Sequence, residues 1–201
     1  MFIKNPKSLI NFRIKLPSKI TSLIVSAIIL ISALVWASGI LIREKKEVME
    51  QKKQLVISFR ILGDVHISLH MFKRFIGEVQ YFDLDNLRLN LMRKAEEASI
   101  SDYWKKDTVE ALDKATQEYM EALDKAMIIL NAREYLYGQD VYLKNKYKYQ
   151  DLQAQIEVHI GRYNYVCERY NKKRKYFLLS TISLFLGLEE MPAFPQGVFG
   201  G

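Results

Sequence analysis

Residues Ile20–Ile42 read ITSLIVSAIILISALVWASGILI, 23 residues without a charge. About 20 apolar residues are enough to cross the hydrocarbon core of a bilayer as a helix. This stretch decides the architecture: residues 1–19 become a basic leader, 20–42 a transmembrane helix, 43–188 a helical bundle domain and 189–201 a flexible tail. The leader carries Lys4, Lys7, Arg13, Lys15 and Lys19 with no acidic residue, which is also the pattern of a signal peptide. Val35-Trp36-Ala37 could serve as a cleavage site, but the run exceeds a usual signal core and bulky Trp36 sits within it, so its length favours a retained anchor. Five cations precede the run, and Arg43, Lys45, Lys46, Lys52 and Lys53 follow it, so the positive-inside rule gives a tie.

Outward from this run the chain reads as long helices. Its 201 residues hold only 9 Gly and 4 Pro, and two of those prolines and three of those glycines fall in the last ten positions. A middle so poor in breakers suits long helices. Hydrophobic residues make up 49% and charged ones 26%, as in a folded protein, and the residues beyond the run are enough for one core. The fold class is therefore all-α, an N-terminal transmembrane helix followed by a long antiparallel up-and-down bundle with coiled-coil-like helix faces. The net charge of +7 favours anionic partners, acidic lipid headgroups before nucleic acid.

Apolar periodicity places four helices. The first runs from Arg43 to Phe82, with Leu55, Phe59, Leu62, His66, Leu69, Ile76 and Val79 as its stripe. Asp83 caps a second through about Ser101, with Leu84, Leu87, Leu91, Ala95 and Ala98 inward. After a break over Ser99–Lys106, Asp107 and Glu110 have capping-box spacing for a third helix. Its stripe is Leu112, Ala115, Tyr119, Leu123, Ala126 and Leu130, and Tyr137-Gly138 suits its end. A fourth runs from Leu143 to Leu186, with Leu152, Ile156, Ile160, Tyr163, Cys167 and Tyr170 on one side. The segment EALDKA at Glu110–Ala115 returns at Glu121–Ala126, and eleven residues are three helical turns, so both copies face the same way.

Summing helical rises brings the end of the fourth helix back to within roughly 15 Å of the bilayer's level. There Lys172, Lys173, Arg174 and Lys175 precede FLLSTISLFLGL, which is too short to span. Two readings follow: these cations and Phe177, with the apolar residues behind them, contact the membrane surface, or this end packs on the first helix.

The chemistry of catalysis is absent as a pattern. His66 and His70 share a helix face, but no Glu follows His66 as in a zinc-protease helix, and a core histidine explains His66. No Glu-x-x-His occurs, which argues against a di-iron bundle, and there is no phosphate loop or nucleophile elbow. Cys167 is the only cysteine and reads as a small core residue. Lys144, Lys146 and Lys148 alternate with Tyr147 and Tyr149, where a solvated helix start explains the pattern better than base stacking. The expectation is no enzyme, no cofactor, no metal, no nucleic acid and no small-molecule substrate.

The sharpest local pattern is GRYNYVCERYN, Gly161–Asn171. Tyr163-Asn164 and Tyr170-Asn171 lie seven residues apart, so both pairs point one way and both asparagines can reach one neighbouring helix. The pattern is either a polar lock inside the bundle or a face for a partner, and a core helix needs no outside partner for such a lock.

These segments together resemble the LemA family. The segment LKNKYKYQDLQ, Leu143–Gln153, is similar to the family's LK-x-x-x-x-F-x-x-LQ, with Tyr149 in the aromatic position. The segment RYNYVCERYN, with Arg162, Tyr163, Asn164, Val166, Tyr170 and Asn171, resembles the family's paired YN motif. Phe177, Gly187 and Pro192-Ala193-Phe194 match its downstream Phe-Gly and Pro-Phe, while the usual Pro after the second YN is replaced by Tyr176-Phe177. The resemblance implies a bacterial, single-pass membrane protein with a cytoplasmic helical bundle and no known catalysis, some relatives belonging to magnetosome membranes. The function expected is a membrane-anchored scaffold or protein-interaction module, with the lipid bilayer and other membrane proteins or a second copy as partners. The rival is an extracytoplasmic bundle that binds a ligand and signals through a partner.

Overall fold

The computed structural model describes residues 18–101, 103–133, 136 and 139–195. The leader through residue 17 and the helix end expected at Tyr137-Gly138 lie outside these residues. Among the described residues the chain is all-helical, with no strand.

Helix α1, Ser18–Leu69, is 52 residues long, about 78 Å at the usual helical rise. It is unbroken between the apolar run and the folded half. Its N-terminal half is long and apolar enough to cross a membrane, a test that a signal sequence or a buried core helix also passes. Here that half is bare: Leu23, Val35 and Trp36 are 71%, 67% and 70% exposed. From Ala37 onward the stripe becomes buried, including Leu55, Phe59, Leu62 and Leu69.

The first helix ends earlier than its periodicity predicts. Beyond Leu69 come a 3-10 turn, His70–Phe72, and a single helical turn α2, Lys73–Ile76. Gly77 then adopts φ 99°, ψ 143°, where a Cβ would also crowd Gln80 Oε1. L side chains rarely adopt this conformation, so glycine permits the reversal. Helix α3, Glu78–Ile100, therefore starts ahead of Asp83, and Val79, expected in the stripe, is exposed. Phe72 and Ile76 stay buried through the break, which explains why the apolar spacing ran on across it.

Helix α4, Lys106–Asn131, buries all six residues of its predicted stripe. The capping box does not form: Lys105 is the N-cap, without a side-chain bond, and Asp107 lies within the first turn, where an acid complements the helix dipole. The EALDKA copies bury Leu112 with Leu123 and Ala115 with Ala126, as expected, but Asp113 is buried while Asp124 is exposed. Helix α5, Asp140–Arg174, stops at Lys175-Tyr176, and a separate helix α6, Phe177–Phe185, follows.

Contacts fix the helix directions. Glu44 meets Arg169 and Lys173, while Ser68 O accepts from Asn145 Nδ2 at 3.5 Å, so α1 and α5 run antiparallel. Arg60 donates to Ser99, and His66 lies 3.3 Å from Asp85, so α3 returns along α1. Trp104 Nε1 donates to Ala98 O at 2.7 Å and Lys52 Nζ donates to Ser101 O, satisfying carbonyls at the end of α3.

Candidate functional site

The end of the molecule nearest the apolar run gathers α1, the second half of α5, α6 and the C-terminal segment. Here the Tyr-Asn pairs find a partner different from the neighbouring helix that their spacing suggested. They hold the chain's own tail. Asn171 Nδ2 donates to Met191 O at 2.7 Å, and Met191 N–H donates back to Asn171 Oδ1 at 3.0 Å. Asn164 repeats this with Phe194, at 3.0 and 2.7 Å. Each tyrosine hydroxyl donates to a carbonyl two residues earlier in the tail: Tyr170 to Glu189 O and Tyr163 to Pro192 O, both at 3.1 Å.

The register has a simple cause. Seven residues of helix rise about 10.5 Å, and three residues of extended chain cover about 10 Å. One Tyr-Asn pair every two helical turns therefore meets one tail residue in three. Residues 189–195, expected as part of a flexible tail, form a strap along α5 with Met191 and Phe194 each 2% exposed. The Phe194 ring sits among Trp104, Tyr163 and Phe59 at centroid distances of 5.6, 5.8 and 6.0 Å.

Gly187 turns α6 into the strap. Its φ is +59°, the Leu188 N–H donates to Ser183 O at 2.8 Å, and its own N–H donates to Leu184 O at 3.2 Å. This is a Schellman ending, with the expected apolar contact supplied by Leu188 and Ile182. Ile182, Leu188 and Leu179 pack with Ala37 and Leu41 of α1. The reading that this end packs on the first helix is met in α6, which packs on α1 by one side and leaves Leu184 and Phe185 exposed on the other.

Glu44 marks the first polar turn of α1 beyond the run. It is 3% exposed, and its two oxygens take Arg169 Nε at 2.6 Å and Lys173 Nζ at 2.5 Å; Arg169 also reaches Glu47. Burial opposes ionisation of Glu44, but the bonds from Lys173 and Arg169 outweigh it and hold the carboxyl below its ordinary value. Sequence reading missed Glu44 and Arg169, because nothing local links positions 125 apart.

Arg162 is exposed and Val166 is buried. Lys172 and Lys175 are exposed, Lys173 is held by Glu44, and Arg174 is half-buried with its Nε lacking a protein partner among the described residues. Phe177 opens α6, and its side chain lies outside the described residues. Tyr149 is buried and donates to Asp124 at 2.9 Å, so it is not an open stacking surface. Cys167 is buried, and burial pushes its thiol up to about 12, against the lowering effect of its bond with Tyr163. His66 pairs with Asp85, while His70 Nδ1 lies 3.2 Å from Tyr81 Oη. Among the described residues no three His, Cys, Asp or Glu side chains are grouped to hold a metal ion.

No family model, curated protein or solved structure matches this chain.

Proposed function

We propose that this chain is a single-pass, membrane-anchored, non-enzymatic scaffold or protein-interaction module of LemA type, its helices forming an antiparallel up-and-down bundle. One observation carries the reading. The exposed apolar run and the packed stripe belong to the same unbroken helix, so α1 joins a lipid-facing half rigidly to a folded half. The Tyr-Asn motif residues serve this role as a lock: their hydrogen-bonding groups are spent on the tail backbone, which favours the lock over a partner face. Partners then meet other surfaces of the bundle, and they are membrane proteins or a second copy. The LemA resemblance favours a cytoplasmic bundle in a bacterial cell or organelle membrane, the magnetosome included.

Intact mass of the protein recovered from membranes tests the reading. The full-length mass supports it. A product that starts after Ala37 would make the run a removed signal and leave the bundle without its anchor.

A further inference from the structure

The end of α6 presents an apolar patch beyond the run itself. Leu184 and Phe185 are 82% and 88% exposed, and Leu186 beside them is 45% exposed. Two large side chains left this bare at adjacent positions are unusual for a surface that meets only water. The helix that carries the patch is seated on the run, because α6 packs on Ala37 and Leu41, which lie inside it.

The depth of that contact is informative. Ala37 stands five positions before Ile42, the last residue of the run, so it lies about 7.5 Å below the run's end. Helices lying in a bilayer interface are buried about 5–10 Å into the boundary of headgroups and acyl chains.

The charges stand one layer above. The Glu44–Lys173 contact sets the first polar turn of α1 level with the end of α5. Arg43 and Lys46 from α1, Lys172 from α5 and Lys175 just past its end are exposed at that level. Glu44 is already matched by Arg169 and Lys173, and Glu47 by Arg169. Glu189 and Glu190 are the exposed acids at the start of the strap.

We infer that α6 is a second membrane contact, lying in the interface of an acidic phospholipid bilayer with Leu184 and Phe185 among the acyl chains and Arg43, Lys46, Lys172 and Lys175 at the phosphates. This rests on the anchor reading. The charge complementarity and the seat of α6 on the run select a lipid surface as the occupant. Each cation at an acidic surface contributes about 1 kcal/mol, or about fivefold in occupancy.

The test uses the full chain in vesicles of phosphatidylcholine, alone or with phosphatidylglycerol. Phe185→Cys is labelled with an environment-sensitive maleimide and read by quenching from shallow spin-labelled lipid. Cys167 is fully buried, so in the folded protein the label goes to the introduced cysteine, with the parent chain as control. Ile31→Cys in the run and Ile128→Cys on α4 are the reference probes. The expected result is quenching at 185 that is stronger with phosphatidylglycerol, quenching of the probe at 31 by deep spin label, and none at 128. Lys172→Gln with Lys175→Gln should weaken the gain from acidic lipid by about fivefold per charge. A quenched probe at 31 with an unquenched probe at 185 overturns the inference and leaves the anchor. Loss of both overturns the anchor as well. Equal quenching in the two lipids overturns the acidic preference. Disulfide linkage between two Phe185→Cys chains without lipid quenching overturns it in favour of a second copy.

Discussion

Asn164 and Phe194 exchange two hydrogen bonds, side-chain amide with backbone amide, across 30 positions of sequence. Asn171 and Met191 do the same across 20. An asparagine amide offers one donor and one acceptor side by side, which is what the N–H and C=O of one extended residue require. The clasp therefore reads backbone, and its side-chain specificity comes from the Phe194 ring among three aromatic rings.

Asn164→Ala leaves the N–H and C=O of a buried residue without partners. The expected loss is about 2–4 kcal/mol, read as a lower urea midpoint. Asn164→Asp keeps the acceptor for Phe194 N–H and loses the donor to its carbonyl, so it should fall between. Equal stability of all three proteins would refute the clasp.

Phe194→Ala removes the ring that fills the aromatic box, with an expected cost of about 3–5 kcal/mol. Removing residues 189–201 should cost at least as much and expose Trp104, seen as a red shift in its emission relative to a Trp36→Phe background.

Gly187→Ala tests the turn that launches the strap. A Cβ at Gly187 meets nothing within 4 Å, so the cost is conformational alone. A left-handed residue other than glycine costs about 1–2 kcal/mol, and the change should appear in thermal unfolding with the helix content retained.

Acid should destabilise the protein in two steps. Burial holds His66 below its ordinary 6.5, with Asp85 opposing, and burial also lowers His159, with Arg162 adding to the effect. The unfolded chain then binds more protons than the folded one, so stability falls as pH drops below 6.5. Glu44 is held below its ordinary 4.5, so its contribution is present above 4.5 and is lost as pH falls below that value. His66→Gln should flatten part of the first step and Glu44→Gln the second, in urea titrations across pH. A profile unchanged by either variant would refute these assignments.

Much of the fold was legible because helix faces repeat locally. The stripes from Leu112 to Leu130 and from Leu152 to Tyr170 are buried as their spacing requires. The breaks were not legible. Gly77 is one residue in an apolar pattern that continues on both sides, and Tyr176 separates α5 from α6 by an extended ψ of 137° that no composition cue marks. The Tyr-Asn repeat was legible as polar groups that face one way, but what they bond was hidden. Nothing in a proline- and glycine-rich tail states that its three-residue spacing equals two turns of α5.

Alkaline carbonate extraction of membranes carrying the full chain decides whether α1 is the bilayer anchor proposed above. The protein should stay in the membrane pellet, as an integral helix does. Release into the supernatant would refute a bilayer-spanning α1.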